Sequence, residues 1–164
     1  MVVRLSKALL VLLVGLFALL VGVDNVVDYG TNYAFVDHVM TMDTVFPNST
    51  LKWRAIMSPL LHQLAYAGII AAEVVTGVLC ILGATLLWRA RGAASRTFNA
   101  SKGVAVAGLT CGFALWFFGF LTVGGEWFQM WQSPTWNGQE AAFRFVASIG
   151  IVLVYLAQKD DELA

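Results

Sequence analysis

A chain of 164 residues that is 59% apolar, 12% charged and of zero net charge carries too much apolar side chain for an ordinary soluble domain of its size. No basic arm or aromatic-studded basic face is present, which argues against nucleic-acid binding. Four apolar stretches, each long enough to cross roughly 30 Å of hydrocarbon, make the expected class all-α: a single polytopic membrane domain over 1–164, four transmembrane helices in a bundle, with structured outward loops. The spans are expected at about 5–27, 59–88, 103–124 and 139–158.

Arg4 and Lys7 stand before the first apolar run, the layout of a signal peptide or of an uncleaved first membrane helix; no small-x-small cleavage pattern stands out after the run, so a retained helix is expected. The connection over 24–58 is long and mixes Asp28, Asp37, His38 and Asp43 with Tyr29, Tyr33, Phe35, Phe46 and Trp53. Such connections are uncommon unless they fold on themselves or carry function. Near its end, Pro47-Asn48-Ser49-Thr50 supplies turn and cap residues ahead of a helical pattern through Leu51, Trp53 and Ile56. Asn48-Ser49-Thr50 also fits a glycosylation acceptor.

In the second span His62, Tyr66, Ile69, Glu73, Thr76 and Cys80 recur at helical spacing and share one face, the most polar within the bilayer. A short cationic loop with Arg89, Arg91, Arg96 and Lys102 follows. The third span brings Gly108, Gly112 and Gly119, a small-residue pattern that lets membrane helices approach closely, within one chain or between copies. Gly15 and Gly22 repeat part of that spacing on the first helix, which hints at a duplicated helix pair. Cys80 and Cys111 lie inside apolar runs and read as small hydrophobes.

The most distinctive stretch is 116–145. It leaves the third span through Gly124-Gly125-Glu126, carries Trp127, Trp131 and Trp136, and enters the fourth span past Glu140 and Arg144. Tryptophan collects at the headgroup level, where one end of the indole is dry and the other wet. The last span ends near Gln158, and Lys159-Asp160-Asp161-Glu162 reads as a short solvated tail. Four spans put both termini on one side. That side holds Arg4, Lys7, Arg89, Arg91, Arg96, Lys102 and Lys159, against Lys52, Arg54 and Arg144 opposite, so the positive-inside rule makes it cytoplasmic.

With these motifs in place, the chain resembles a family of bacterial small integral membrane proteins, the domain of unknown function 2165. The resemblance rests on Asn25 with Asp28-Tyr29, His38-Val39 with Met42-Asp43, Arg54 with Ile56 and Pro59, and Ala65-Tyr66 with Glu73. It rests above all on GGEWFQMWQS followed by WNGQ and AFR. It implies four membrane helices and a bacterial inner-membrane location, and brings no established activity with it.

An ionisable side chain inside a span is costly and usually faces a partner, cavity or pathway. Glu73 is therefore the sharpest candidate, expected in an intramembrane polar cluster with Arg144, Tyr66 and His62; Glu126 and Glu140 compete for the arginine. Glu126, Trp127, Trp131, Gln132, Trp136 and Asn137 form a candidate outward binding surface, supported by Asp28, Tyr29, His38, Asp43 and Arg54 of the first loop. No nucleophile with an activating base, phosphate-binding glycine loop, paired catalytic carboxylates or metal motif is present. No enzyme, cofactor or metal is expected. The leading expectation is a non-catalytic accessory or interaction subunit of a membrane complex, partnered by the lipid bilayer and by another membrane protein or a second copy. The alternative is a small transporter or channel with Glu73 as coupling carboxylate; below it stands a quinone- or haem-binding subunit.

Overall fold

The computed structural model describes residues 1–162. Four of its helical stretches are long and apolar enough to cross a membrane. Helix α1 is Val2–Val27, and α2, Tyr29–Thr41, turns away from it at Asp28. Helix α3, Pro59–Ala90, starts on a proline, whose missing N–H costs nothing in a first helical turn. A one-and-a-half-turn helix α4, Ser95–Ala100, leads into α5, Gly103–Ala114, and α6 is Gln139–Ala157. Helix α1 packs along α3, α3 along α5, α5 along α6, and α6 back on α1. Both termini lie at one end, with the first loop and the tryptophan loop at the other.

Small residues set the closeness of these contacts. A Cβ on Gly83 would stand 2.5 Å from the Ala105 Cα, and one on Gly108 would stand 2.8 Å from the Cys80 backbone nitrogen. At Gly112 it would meet the Thr76 side chain at 2.8 Å. The Gly108/Gly112 seam is thus consumed between α5 and α3 of the same chain and is not free for a second copy. Gly119, expected on the same seam, has only Leu115 of its own helix within 4 Å of its Cβ position. It borders a cavity, not a helix contact. Gly15 and Gly22 do pack against α3, at Cys80 and Val74. Both cysteines are free thiols.

Beyond Ala114 the fifth helix widens into a π-helix over Leu115–Trp127. Its looser i→i+5 bonding shows in Phe128 N–H donating to Val123 O at 3.0 Å and in Thr122 Oγ1 donating to Phe117 O at 3.2 Å. Such wide turns are rare and concentrate at functional sites.

Two local expectations need correction. The cap pattern before Leu51 produces only a single 3-10 turn, Lys52–Arg54, because the segment is pinned elsewhere: Ile56 N–H donates to Met40 O of α2. Trp116, at the head of the tryptophan-bearing stretch, is buried among Phe17 and Phe145, with ring centroids 5.7 and 5.4 Å away. The tail is not freely solvated either. Lys7 and Lys102, both buried, each donate to Asp160 Oδ2 at 2.6 Å and to Gln158 O at 2.8 and 2.7 Å. Arg4, also buried, donates to Arg91 O, Ala93 O and Asp161 O. Asn99 and Asp160 exchange two further bonds, and Glu162 accepts from the Ser95 N–H and hydroxyl at the start of α4. Burial alone would raise the Asp160 carboxyl, but the hydrogen bonds and charges of Lys102 and Lys7 outweigh it and hold the group below the usual carboxylate range. The two chain ends form one clasp.

Candidate functional site

The expected Glu73 cluster forms with different members. Glu73 is buried on α3, and both of its carboxylate oxygens accept from one donor, Asn25 Nδ2 of α1, at 3.0 and 2.8 Å. Tyr66, two turns nearer the loops, donates its hydroxyl to the Asn25 backbone oxygen at 2.7 Å. Arg144 is not part of the cluster: it is exposed and pairs with Glu140 one turn earlier on its own helix. A one-turn neighbour needs no helix to rotate inward, whereas reaching Glu73 would take the guanidinium out of the interface. Asn25 was the partner available in the sequence, one position past Asp24 at the end of the first span.

His62 forms a separate layer above. One of its ring nitrogens, Nδ1, lies 2.7 Å from Asp37 Oδ1, and Nε2 lies 2.7 Å from Ile56 O. The first contact ties α2 to α3 and the second holds the segment leading into α3. Tyr29 and Tyr33, on consecutive turns of α2, stack on each other, and each meets the Tyr66 ring in a T-shaped contact. Asp28 supplies the bend between α1 and α2, its carbonyl accepting from the Asn32 side chain. Among the described residues no three histidine, cysteine or acidic side chains converge as metal ligands would.

The outward loops are cross-linked. Arg54 reaches the Trp127 carbonyl at 3.3 Å and lies 4.6 Å from the Trp127 ring. His38, held by Asp43 at 2.6 Å, stacks on Trp136 at a centroid distance of 4.5 Å. Phe46 meets Trp131 edge-on, and its N–H donates to Gln132 Oε1. The polar groups between the tryptophans, expected to be left over for a partner, are largely spent within the fold. Gln129 donates to Glu126 O, Gln132 to Gln129, and Asn137 Oδ1 accepts from Gln139 N–H at the start of α6. Gln129 sits at φ 56°, in the left-handed region, a conformation non-glycine residues enter at some cost and keep only where the surroundings hold them. Glu126, Trp127 and Trp131 remain exposed, with Trp53 beside Trp127.

Beneath these loops lies a cavity of about 700 Å³ that no single residue in the sequence announces. Val36, Val39 and Met40 of α2, Ala65 and Ile69 of α3, and Phe118, Gly119 and Val123 of the π-helix wall it; Trp127, Phe128 and Met130 close its loop end. Its only side-chain hydroxyl belongs to Thr122, which is bonded back to Phe117 O. Next to it is a smaller cavity of about 220 Å³ bordered by Glu73, Asn25, Asn32, Tyr66 and Trp116. The two share Phe35, Val36, Ile69 and Phe120 as walls. The signal in the sequence was indirect: Gly119 and Gly124 in an aromatic run, where the helix widens and leaves space.

Helices long and apolar enough to span, a carboxylate buried between two of them, and aromatic loops folded over one end define a helical integral membrane protein. Residues 3–159 match the family described as "Predicted small integral membrane protein (DUF2165)", and the chain belongs to that family. No curated protein and no solved structure matches it.

Proposed function

We propose that this protein is a non-catalytic binding protein of the bacterial plasma membrane, with both termini cytoplasmic, and that it serves as an accessory subunit holding an apolar chain under its outward loops. The supporting observation is the cavity of about 700 Å³, a size typical of small-molecule sites. Its lining offers a ligand almost no hydrogen-bonding group, so the matching occupant is a lipid acyl or isoprenoid chain drawn from the surrounding bilayer. The exposed Trp53, Trp127, Glu126 and Trp131 remain the surface by which the loaded subunit would meet a membrane-protein partner.

Gly119 provides the test, because it borders the cavity and a Cβ there would meet only the Leu115 side chain, at 3.8 Å. Gly119→Leu should fold normally, partly fill the cavity and remove a lipophilic species that co-purifies with the wild type in mild detergent. Identical extracts from the two proteins would defeat the reading. A second reading, a small transporter coupled through Glu73, draws support from a carboxylate that borders a cavity. It predicts ion or proton flux in proteoliposomes that Glu73→Gln abolishes.

A further inference from the structure

The smaller cavity differs from its neighbour in having polar atoms, and those atoms are unbalanced. Most of its donors are engaged: Asn25 Nδ2 with both Glu73 oxygens, one hydrogen of Asn32 Nδ2 with Asp28 O, and the Tyr66 hydroxyl with Asn25 O, which leaves the second Asn32 N–H and the Trp116 Nε1–H. Its unused acceptor positions are more numerous. Two Glu73 oxygens share one amide nitrogen, Asn25 Oδ1 has only a 3.5 Å approach from Tyr66, and Asn32 Oδ1 makes no bond. A carboxylate has about four acceptor positions. Among the described residues, the ion pairs involve Asp37, Asp43, Glu140 and Asp160, and no cation lies within bonding distance of Glu73. A buried carboxylate in a span without a cation is an expensive arrangement. An incoming donor, above all a positively charged one, would relieve it.

The position of this acceptor-rich space makes it a head site. It adjoins the apolar chamber across Phe35 and Phe120, whose rings stack at 6.3 Å. We propose that Glu73, with Asn25 and Asn32, receives the ammonium head of a cationic single-chain amphiphile whose apolar body lies in the larger chamber. This rests on the chamber reading above and adds the chemistry of the head. The ammonium offers three donors to match the surplus acceptors, and its charge meets Glu73 where solvent screening is weak. A hydroxyl head would satisfy one acceptor without compensating the charge. A carboxylate head would be repelled.

Hexadecylamine, hexadecan-1-ol and hexadecanoate, titrated against the full chain in micelles and read by native mass spectrometry, separate these cases. The amine should bind at least about tenfold more tightly than the acid, with the alcohol between them, as a charge-assisted bond predicts. In Glu73→Gln, which keeps an acceptor oxygen for Asn25, the advantage of amine over alcohol should disappear while alcohol binding persists. The ranking on the unaltered protein needs no variant. Equal binding of the three probes, or an amine preference that survives Glu73→Gln, overturns the head site and leaves the chamber standing. Failure of every probe to bind, with Gly119→Leu indistinguishable from the wild type, overturns both.

Discussion

Asn25 and Glu73 join the end of α1 to the middle of α3 through a single amide nitrogen that serves both carboxylate oxygens. Among the described residues that amide is the only hydrogen-bond donor to this carboxylate, while Tyr66 steadies the Asn25 backbone from the other side. Neutral hydrogen bonds between membrane helices average about 0.6 kcal/mol, so Tyr66→Phe should be mild. Loss of the donor to a buried charged group costs more, about 2–3 kcal/mol. Asn25→Leu should therefore lower the unfolding midpoint in detergent clearly more than Tyr66→Phe, and Asn25→Leu/Glu73→Leu should recover part of the loss. Equal effects of the two single changes would show that the amide carries no special burden.

The clasp at the chain ends makes an acid-sensitive prediction. The Asp160 carboxyl is held below its usual range in the folded protein, so its contribution is present above the unfolded value of about 3.9 and is lost as pH falls through the folded value. Breaking a buried charge pair by removing one partner costs about 3–5 kcal/mol. Asp160→Asn should lose stability of that order at neutral pH and show a shallower decline than the wild type below about pH 4. Parallel pH profiles would mean that Lys7 and Lys102 find equivalent partners elsewhere.

Helix approach at Gly83 and Gly108 leaves no room for a methyl group. Gly83→Ala and Gly108→Ala should each destabilise by about 1–3 kcal/mol through overpacking, whereas Gly119→Ala should be neutral. Size-exclusion profiles of the folded variants should not change in oligomeric state, since the seam is internal. Dissociation of an oligomer in Gly108→Ala would place that face between copies.

The proposed orientation, termini inside, rests on seven cationic residues at the terminal end against three at the loop end. With Cys80 and Cys111 replaced, a cysteine at Thr135 should react with an impermeant maleimide in intact cells, and one at Arg96 should not. The opposite pattern would invert the protein.

Long helices were legible because apolar length can be read directly from the sequence: α3 has 32 residues and α1 has 26, each lying over one of the apolar runs. Partners of buried polar groups were not. Charge favoured Arg144 for Glu73, yet Arg144 had a carboxylate one turn away, and Asn25 carried no charge to advertise itself. The same reason hid the clasp, in which hydrophilic residues at both ends of the chain looked solvated because nothing local pairs them. The cavity was least legible, since it depends on how far the π-helix stands from α2 and α3, a relation between three segments and not a pattern within one.

The clasp also imposes an order in time. Lys7 bonds to a residue 153 positions later, and Arg4 to one 157 positions later. At a synthesis rate of roughly 5–20 residues per second, these cations wait on the order of ten seconds or more for the carboxylate and carbonyls that will bury them. During that interval the groups that bury them have not yet been made. On the proposed orientation the same charges would act on the nascent chain first, and be withdrawn from solvent only once residues 158–161 have emerged.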